Sequence, residues 1–312
     1  MTTCIAAVTD EGKALILVAD KMVGVGWVES ELEISKMREI HQDWWVLFAG
    51  EDITPVFDIV DYTKAKLPAE GPVTVKQAED AVKAAVAEKR MENAEALHLT
   101  PIGWDIERFN REGNALPNFM ELQAKINDYS TGLQLLVGGF DTGKAHIFTL
   151  MDYGETKGVP HRYDIPGFAA IGSGATGADY FMYYRHLGPN LPVREALYYS
   201  LEAKYAGEQA GSVSASTDLF LARPGKQLLQ FSDDETIEEK LIPICSALEP
   251  KNLRPRDLKV LNGLKERKGF PKLPEEKRKK RKKGVIEIVV PKTKKKKKRK
   301  KRKNQAQVQT GT

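Results

Sequence analysis

Two apolar segments near the N-terminus are predicted to form a β-hairpin. Residues 3–8 and 14–19 are almost continuously apolar, and the intervening residues 10–13 have the composition of a tight turn. A strand with one solvated face would alternate apolar and polar residues, which these strands do not. We therefore expect both strands to lie in a sheet that is covered on both faces.

A change from strand to helix is predicted at Gly50. The apolar segment 44–49 ends at this glycine, and apolar residues then recur at helical spacing between Ile53 and Val60. Because the period changes there, we expect the strand to end and the helix to begin at Gly50.

The following region is predicted to be helical and then irregular. Thr74 and Gln77 have the spacing of a capping box, so a helix should begin there and continue to the region of Leu97. Residues 98–128 contain scattered Pro and Gly, and we interpret them as an insertion or an extended helical excursion.

The second half of the chain continues the alternation of strands and helices. Predicted strands and helices follow one another as strands 133–140, 145–151 and 168–171, helices near 177–186 and 193–205, and a final strand pair 213–222 and 226–231. Buried strands with paired helices indicate an α+β protein in which two antiparallel sheets stack between helical layers. The fold class predicted is a four-layer αββα sandwich.

Length and composition favour one globular domain inside the cell. A chain of 312 residues with 41% hydrophobic content can bury a substantial core, and we assign residues 2–250 to that domain. No segment is apolar for long enough to span a membrane, and the N-terminus lacks a signal pattern. We expect cytoplasmic localisation, or nuclear localisation if the source is a eukaryote.

Disulfide, metal and cofactor chemistry find no support in the sequence. Cys4 and Cys245 are the two cysteines, too few for a disulfide framework. The five histidines do not occur at zinc-binding spacings with other ligands. We expect no metal and no cofactor.

The C-terminal segment is strongly basic. Residues 277–312 carry 18 Lys and Arg residues and one Glu, a net charge of +17, whereas residues 1–276 carry −12. We predict a proline- and charge-rich extension at 251–276 and a disordered lysine-rich tail after it. The basic run 277–303 should either be a solvated extension without a binding role or contact nucleic acid or another polyanion. The apolar island 285–290 could add to a sheet edge.

Six short motifs resemble, in their order, the landmarks of proteasome β-subunits and of their bacterial proteasome-like relatives. They are Thr2-Thr3, Val18-Ala19-Asp20, Ile34-Ser35-Lys36-Met37, Phe48-Ala49-Gly50, Val137-Gly138-Gly139-Phe140-Asp141 and Ala170-Ile171-Gly172-Ser173-Gly174. Measured from Thr2, the aspartate, lysine and glycine each lie two positions further along than in a typical family member, which one insertion in the first hairpin explains. The resemblance covers roughly residues 2–232 and implies the N-terminal nucleophile (Ntn) hydrolase fold with threonine peptidase activity.

The resemblance implies that Thr2 is the nucleophile once Met1 has been removed. A threonine hydroxyl is a weak nucleophile that needs a base, and an N-terminal threonine supplies one as its own α-amine. That amine has an ordinary pKa of about 8, so a useful fraction is unprotonated near neutral pH. The alternative, Thr2 as the first residue of an ordinary strand, is disfavoured by the matching residues downstream.

Four further residues take catalytic roles by the same resemblance. Lys36 would lower the pKa of the Thr2 hydroxyl and amine as a nearby buried ammonium, and Asp20 would be its anionic partner. Gly50 would stabilise the oxyanion through its N–H, with support from the dipole of the helix expected there. Ser173 would orient the Thr2 amine, although a Ser in a Gly-rich turn is also an ordinary helix cap.

One position departs from the family pattern, and Cys4 is weighed as an alternative nucleophile. The family has an aspartate after the fourth helix where this chain has Glu208, and either Glu208 or Ser212 could contact the Thr2 environment. An ordinary helix-terminal glutamate is an equal alternative. Without the hairpin insertion, Cys4 would occupy the nucleophile's place, and we reject it because cleavage after Thr3 would be required.

The substrate pocket is assigned by position along the family pattern. Its expected residues are Val23, Ile34, Phe48 and Asp52. This mainly apolar set predicts cleavage after hydrophobic or small residues, while Asp52 could favour a basic one.

Three functions are weighed against one another. The resemblance implies a self-compartmentalised peptidase that forms a homo-oligomeric ring or stack and acts on peptides or proteins, and it leaves open whether an ATPase partner feeds it. A catalytically silent ring or scaffold protein that binds polyanions through its tail is one alternative, and an Ntn amidase for a small amide is another. The intact set of Thr2, Asp20, Lys36 and Gly50 favours the peptidase.

Overall fold

The computed structural model describes residues 2–25, 28–31, 35–154, 157–208 and 216–231, with only the backbone of 22–25, 28–31 and 231. All of these residues belong to the first of the two units into which the chain divides, Met1–Pro250. The described protein is α+β, with two large antiparallel sheets and helices.

The strands in the described part of the chain form two five-stranded antiparallel sheets and one two-stranded sheet. They are β1 Cys4–Thr9, β2 Ala14–Asp20, β3 Met22–Val25, β4 Val28–Glu31, β5 Met37–His41, β6 Trp44–Ala49, β7 Gln134–Asp141, β8 Lys144–Met151, β9 Pro160–Arg162, β10 Phe168–Ile171, β11 Thr217–Ala222 and β12 Leu229–Phe231. The first sheet has the strand order β10-β1-β2-β11-β12, the second has β5-β6-β7-β8-β9, and β3 pairs with β4.

Within the described ranges, four α-helices lie between β6 and β7 in the chain and two lie between β10 and β11. They are α1 Pro55–Lys66, α2 Val75–His98, α3 Ile106–Glu112, α4 Phe119–Asp128, α5 Ala175–Tyr184 and α6 Val193–Glu208. The predicted capping box at the start of α2 is present, because Thr74 and Gln77 exchange side-chain and backbone hydrogen bonds. Among the described residues, no helix has both the length and the apolar character needed to cross a bilayer.

The first sheet is covered on both faces, as the continuous apolar pattern predicted. Ile5 and Ile16 pack with residues of α5 and α6, including Met182. Leu15 and Leu17, on the opposite face, pack with the second sheet at residues such as Leu136. Alternate side chains therefore enter two different apolar cores, which is why neither β1 nor β2 alternates with polar residues.

The second sheet carries its own helical core and a separate cluster. Trp44, Val46 and Phe48 of β6 pack with α1 and α2. Residues 98–128 form α3, α4 and two 3₁₀ turns, and Phe109 and Leu122 anchor a small cluster there.

Some element boundaries were predicted wrongly. Helix α1 begins at Pro55 rather than at Gly50, because Asp52 Oδ1 accepts the Thr54 N–H at 2.8 Å in an intervening turn and proline suits the first helical position. Strand β12 is shorter than the predicted 226–231, because a turn continues past Gly225. Residues 213–215 of the final predicted pair lie outside the described residues.

The strands β3, β4, β5 and β9 were missed. Strands β5 and β9 form the edges of the second sheet, and they are short and largely polar. Edge strands of this kind lack the apolar signal by which central strands are recognised.

Candidate active site

Thr2 and Thr3 precede β1 beside the end of β2. The register Cys4↔Ala19 sets Thr3 next to Asp20, where the Asp20 N–H donates to the Thr3 carbonyl at 3.2 Å. The Thr3 N–H in turn donates to Asp20 Oδ1 at 2.8 Å. The hairpin itself therefore fixes this buried aspartate beside the two threonines.

Lys36 reaches the same place from another part of the chain. It immediately precedes β5, and its side chain is 2% exposed. Its Nζ donates to both carboxylate oxygens of Asp20, at 3.0 and 3.1 Å, and to Thr2 Oγ1 at 2.7 Å. An ammonium this close to a hydroxyl favours the alkoxide form. The structure thus brings Thr2, Asp20 and Lys36 into one buried group.

The turn at Gly172, Ser173 and Gly174 contacts the backbone of Thr2. Ser173 Oγ accepts a hydrogen bond from Thr2 N at 3.1 Å and lies 3.4 Å from the Thr2 carbonyl oxygen. That oxygen also accepts the Gly174 N–H at 3.1 Å. The Thr2 nitrogen is here a peptide nitrogen bonded to Met1, so it stands in for the α-amine that cleavage would release. Ser173 has the position needed to orient that amine.

Only glycine fits at two positions of this turn. Gly172 has φ +92°, and a Cβ there would lie 2.2 Å from the Thr2 carbonyl oxygen. A Cβ on Gly174 would lie 1.9 Å from Thr3 Oγ1 and 2.7 Å from the carbonyl oxygen of Gly207 in α6. The direct contact between this turn and the threonines therefore depends on glycine.

Gly50 lies directly after β6 and beside the residues that precede β7. A Cβ on Gly50 would lie 2.9 Å from Leu133 Cδ2 and 3.5 Å from the Gly132 carbonyl oxygen. Because α1 begins only at Pro55, the helix-dipole support assigned to the Gly50 N–H was wrong. The assignment of that N–H as oxyanion donor stays a prediction.

Gln134 links the residues beside Gly50 to the turn at 172–174, and it was not identified from the sequence. It is the first residue of β7 and pairs with Ala49, while its Oε1 accepts the Gly172 N–H at 2.8 Å. A glutamine at a strand start carries no local signal for a contact 38 residues away.

Glu208 has a different partner from the one considered. It is the last residue of α6, and its Oε1 accepts from Lys204 Nζ at 2.5 Å. Lys204 is fully buried and was not recognised in the sequence. Within the described part of the chain, Glu208 makes no hydrogen bond to Thr2 or Ser173. Its alternative, Ser212, lies outside the described residues.

The four expected pocket residues are only partly described. Phe48 is fully buried in the core beneath α1 and α2, so its side chain supports this region from inside. Asp52 is exposed in the turn before α1. Val23 lies in β3 with its side chain outside the description, and Ile34 lies outside it altogether.

Cys4 has the environment of an unreactive thiol. It is fully buried in β1, and its Sγ lies 3.6 Å from the Phe48 carbonyl oxygen. Burial raises the pKa of the Cys4 thiol far above its ordinary value, and the nearby Lys36 only partly offsets this effect. A thiol of this kind does not supply the thiolate that nucleophilic attack requires.

The geometry of the site is the main basis for inferring a function. No protein-family model matches this chain, and no curated protein matches it either. Among the described residues, no group of three or more His, Cys, Asp and Glu side chains is arranged to hold a metal ion.

Proposed function

We propose that this protein is a threonine-type endopeptidase of the Ntn hydrolase class, with Thr2 as the nucleophile after cleavage of the Met1–Thr2 bond. One observation carries the proposal: Lys36 Nζ lies 2.7 Å from Thr2 Oγ1 while it is paired with the buried carboxylate of Asp20. Apolar residues of similar volume can often replace a buried ion pair without loss of stability. A chemical role explains why an ammonium is buried against this hydroxyl.

The proposed reaction begins when the free α-amine of Thr2 takes the Oγ1 proton, directly or through water. Oγ1 attacks the substrate carbonyl carbon, and the Gly50 N–H stabilises the resulting oxyanion. The C–N bond then breaks, the ammonium returns the proton to the leaving amine, and an ester on Thr2 remains. Water attacks this ester with the same amine as base, which releases the carboxylic acid and restores the hydroxyl.

Lys36 and Ser173 have separate tasks in this reaction. Lys36 stabilises negative charge on Oγ1 by its position, 2.7 Å away, so it acts electrostatically. Ser173 holds the amine so that its lone pair is directed toward Oγ1, which reduces the entropy lost on reaching the reactive geometry.

We propose for residues 2–250 the four-layer αββα sandwich of Ntn hydrolases. Support comes from three apolar clusters, one between α1, α2 and the second sheet, one between the two sheets, and one between the first sheet and α5, α6. The resemblance of the motifs to proteasome β-subunits supports the same fold.

The proposal extends to the working state of the enzyme. The resemblance to proteasome β-subunits implies that assembly confines the site, so a self-compartmentalised homo-oligomeric ring or stack in the cytoplasm is proposed, with peptides or proteins as substrates. The silent scaffold is disfavoured because a scaffold has no use for the contact between Lys36 and Thr2. An amidase for a small amide would use the same catalytic residues as a peptidase. The two activities would differ only in the pocket that binds the substrate.

Intact mass spectrometry with a threonine-directed covalent inhibitor tests the proposal. We expect a mature chain that begins at Thr2 and carries one inhibitor molecule, located at Thr2 by peptide mapping. Active protein that retains Met1 would overturn the mechanism. Comparison of peptide and small-amide substrates on the same preparation would then distinguish a peptidase from an amidase.

A further inference from the structure

A buried carboxylate outside the proposed catalytic set fixes the segment beside Gly50. Asp152 immediately follows β8 and is fully buried. Its Oδ2 accepts hydrogen bonds from the N–H and the Oγ1 of Thr131, at 2.8 and 2.7 Å. Its Oδ1 accepts from Arg90 Nη1 of α2 at 3.0 Å. This carboxylate therefore joins helix α2 to the segment that leads into β7.

The same segment is held through its backbone. The Asp152 N–H donates to the Leu133 carbonyl at 2.8 Å. Between these contacts Gly132 has φ +70°, and its N–H donates to Ser130 Oγ at 3.1 Å. Residues 131–133 are thus fixed at both ends by Asp152.

This segment lies against two parts of the proposed active site. The Gly132 carbonyl oxygen lies 3.5 Å from a Cβ position on Gly50, and the Leu133 side chain lies closer still. The next residue, Gln134, accepts the Gly172 N–H, and Gly172 contacts the Thr2 carbonyl. A shift of residues 131–134 would move the surroundings of the oxyanion donor and of the nucleophile together.

We propose that Asp152 is a positioning residue for the Thr2 reaction, acting through residues 131–134 on Gly50 and on the Gly172 turn. The inference rests on the proposed function. Asp152 does not touch the reacting atoms, so its effect is on the transition state that Gly50 stabilises and only weakly on substrate binding. Loss of this support should lower kcat and leave KM nearly unchanged.

The chain offers a matched control. Glu79 of α2 is also a buried carboxylate, 8% exposed, and it pairs with Arg162 of β9 at 2.5 and 2.8 Å. Both ion pairs involve α2, one with Asp152 just after β8 and the other with Arg162 in β9, but the hydrogen bonds of Glu79 do not include residues 131–134. Neutralising Glu79 therefore reproduces the loss of a buried ion pair without the proposed positioning effect.

The test compares Asp152→Asn with Glu79→Gln in the full-length protein. In Asp152→Asn an amide NH₂ replaces an oxygen that accepts from Arg90 or Thr131, so two donors face each other. We expect kcat to fall about 10- to 100-fold with KM within about twofold, while Glu79→Gln keeps the kcat of the wild type. Urea midpoints of both variants show whether their stabilities fall to a similar extent.

Hydrogen exchange by mass spectrometry gives a readout that does not depend on activity. Peptides that cover 49–54 and 130–134 should exchange faster in Asp152→Asn than in Glu79→Gln. If Asp152→Asn does not fold, Thr131→Val removes one of its donors and should change both readouts in the same direction.

Equal kcat in the two variants, or equal exchange of these peptides, would overturn the inference. If Thr2→Ala retains full turnover, the proposed function is excluded, whatever the result for Asp152. The exchange comparison then decides separately whether Asp152 holds the segment beside Gly50.

Discussion

Lys36 Nζ and Thr2 Oγ1 lie 2.7 Å apart although 34 residues separate them in the chain. The contact is possible because β1 and β2 bring Asp20 beside Thr3, and the Asp20 carboxylate holds the ammonium in place. The hydroxyl therefore faces a fixed positive charge in a buried setting, where an electrostatic interaction is stronger than in water.

Replacement of Lys36 by Met should distinguish the effect of the ammonium charge from the effect of side-chain packing. Lys36→Met keeps much of the side-chain volume, and we expect turnover to fall at least about 100-fold because stabilisation of charge on Oγ1 is lost. The unfolding free energy should fall by about 3 kcal/mol, since the buried Asp20 carboxylate loses its ammonium partner. Peptide hydrolysis and urea denaturation measure the two effects.

The control for Lys36 is Lys89→Met. Lys89 pairs with Asp58, whose side chain is 50% exposed, so its removal should cost less than about 1 kcal/mol and leave turnover unchanged. If Lys36→Met hydrolysed peptides as fast as Lys89→Met, the electrostatic role would be excluded.

Substitutions of Thr2 and Cys4 should distinguish the two candidate nucleophiles. Thr2→Ala should lose at least about 10³-fold in kcat, whereas Thr2→Ser should retain part of it because a hydroxyl remains. Cys4→Ala should keep most of the turnover, since the buried thiol takes no part. Single-turnover hydrolysis of one fluorogenic peptide by all three variants checks this order, and an inactive, folded Cys4→Ala protein would contradict it.

Substitution of Gly172 by Ala should inactivate the enzyme for a steric reason. The new Cβ would lie 2.2 Å from the Thr2 carbonyl oxygen, so the turn or Thr2 must move. Gly143→Ala is the matched control, since Gly143 has φ +79° with no atom within 4 Å of the Cβ position. Both variants incur a backbone cost of about 1 kcal/mol, but only Gly172→Ala should lose turnover, by about 100-fold. Equal activities would show that the turn does not position Thr2.

Asp179 in α5 should make the protein less stable as the pH rises. Burial raises the pKa of Asp179 from 3.8 to about 6, against a smaller opposite effect of a hydrogen bond with the Ala170 backbone. Because the folded value is the higher one, the carboxyl contributes stability below about pH 4, and this contribution is lost as the pH rises through about 6.

The variant Asp179→Asn tests this pH dependence. At pH 8 it should be more stable than the wild type by about 1 kcal/mol, a value reduced for solvent screening of a partly exposed group. The difference should close near pH 4. Urea midpoints at both pH values measure it, and a difference that does not change with pH would contradict the assignment.

The sequence predicted the central strands well because side chains on both faces of β1 and β2 pack in apolar clusters, which makes these segments continuously apolar. It also predicted the residues that approach Thr2, although only through a family resemblance, since Lys36 and Asp20 taken alone look like a surface lysine and a strand-terminating aspartate. The capping box at Thr74 was readable because its two residues are local neighbours.

Contacts between distant segments could not be predicted. The hydrogen bond from Gly172 to Gln134 and the bonds from Arg90 and Thr131 to Asp152 join segments that are distant in the chain and that the fold alone brings together. No periodicity marks an aspartate after a strand as a buried acceptor. The start of α1 was misplaced for a related reason, because the turn before Pro55 is fixed by the side chain of Asp52 and not by apolar spacing.

Removal of the basic tail should leave catalysis intact and abolish binding to polyanions. The segment from Lys277 onward has a net charge of +17 and no aromatic residue, so it can neutralise phosphates but has little means to distinguish bases. We expect a chain that ends at Pro274 to hydrolyse small peptides normally and to lose its affinity for DNA, RNA and heparin. Fluorescence anisotropy with labelled DNA measures the binding.

Salt dependence gives the sharper test of the tail. If the full-length chain binds DNA by releasing counterions, log Kd should rise steeply and linearly with log salt, with similar slopes for unrelated DNA sequences. A protein that reads bases would instead lose affinity when the sequence changes at constant salt. A chain that ends at Pro274, assembles normally and yet hydrolyses no small peptide would contradict the separation of tail and catalysis. The apolar island 285–290 would then be the first segment to substitute, because it is the part of the tail able to add to a sheet edge.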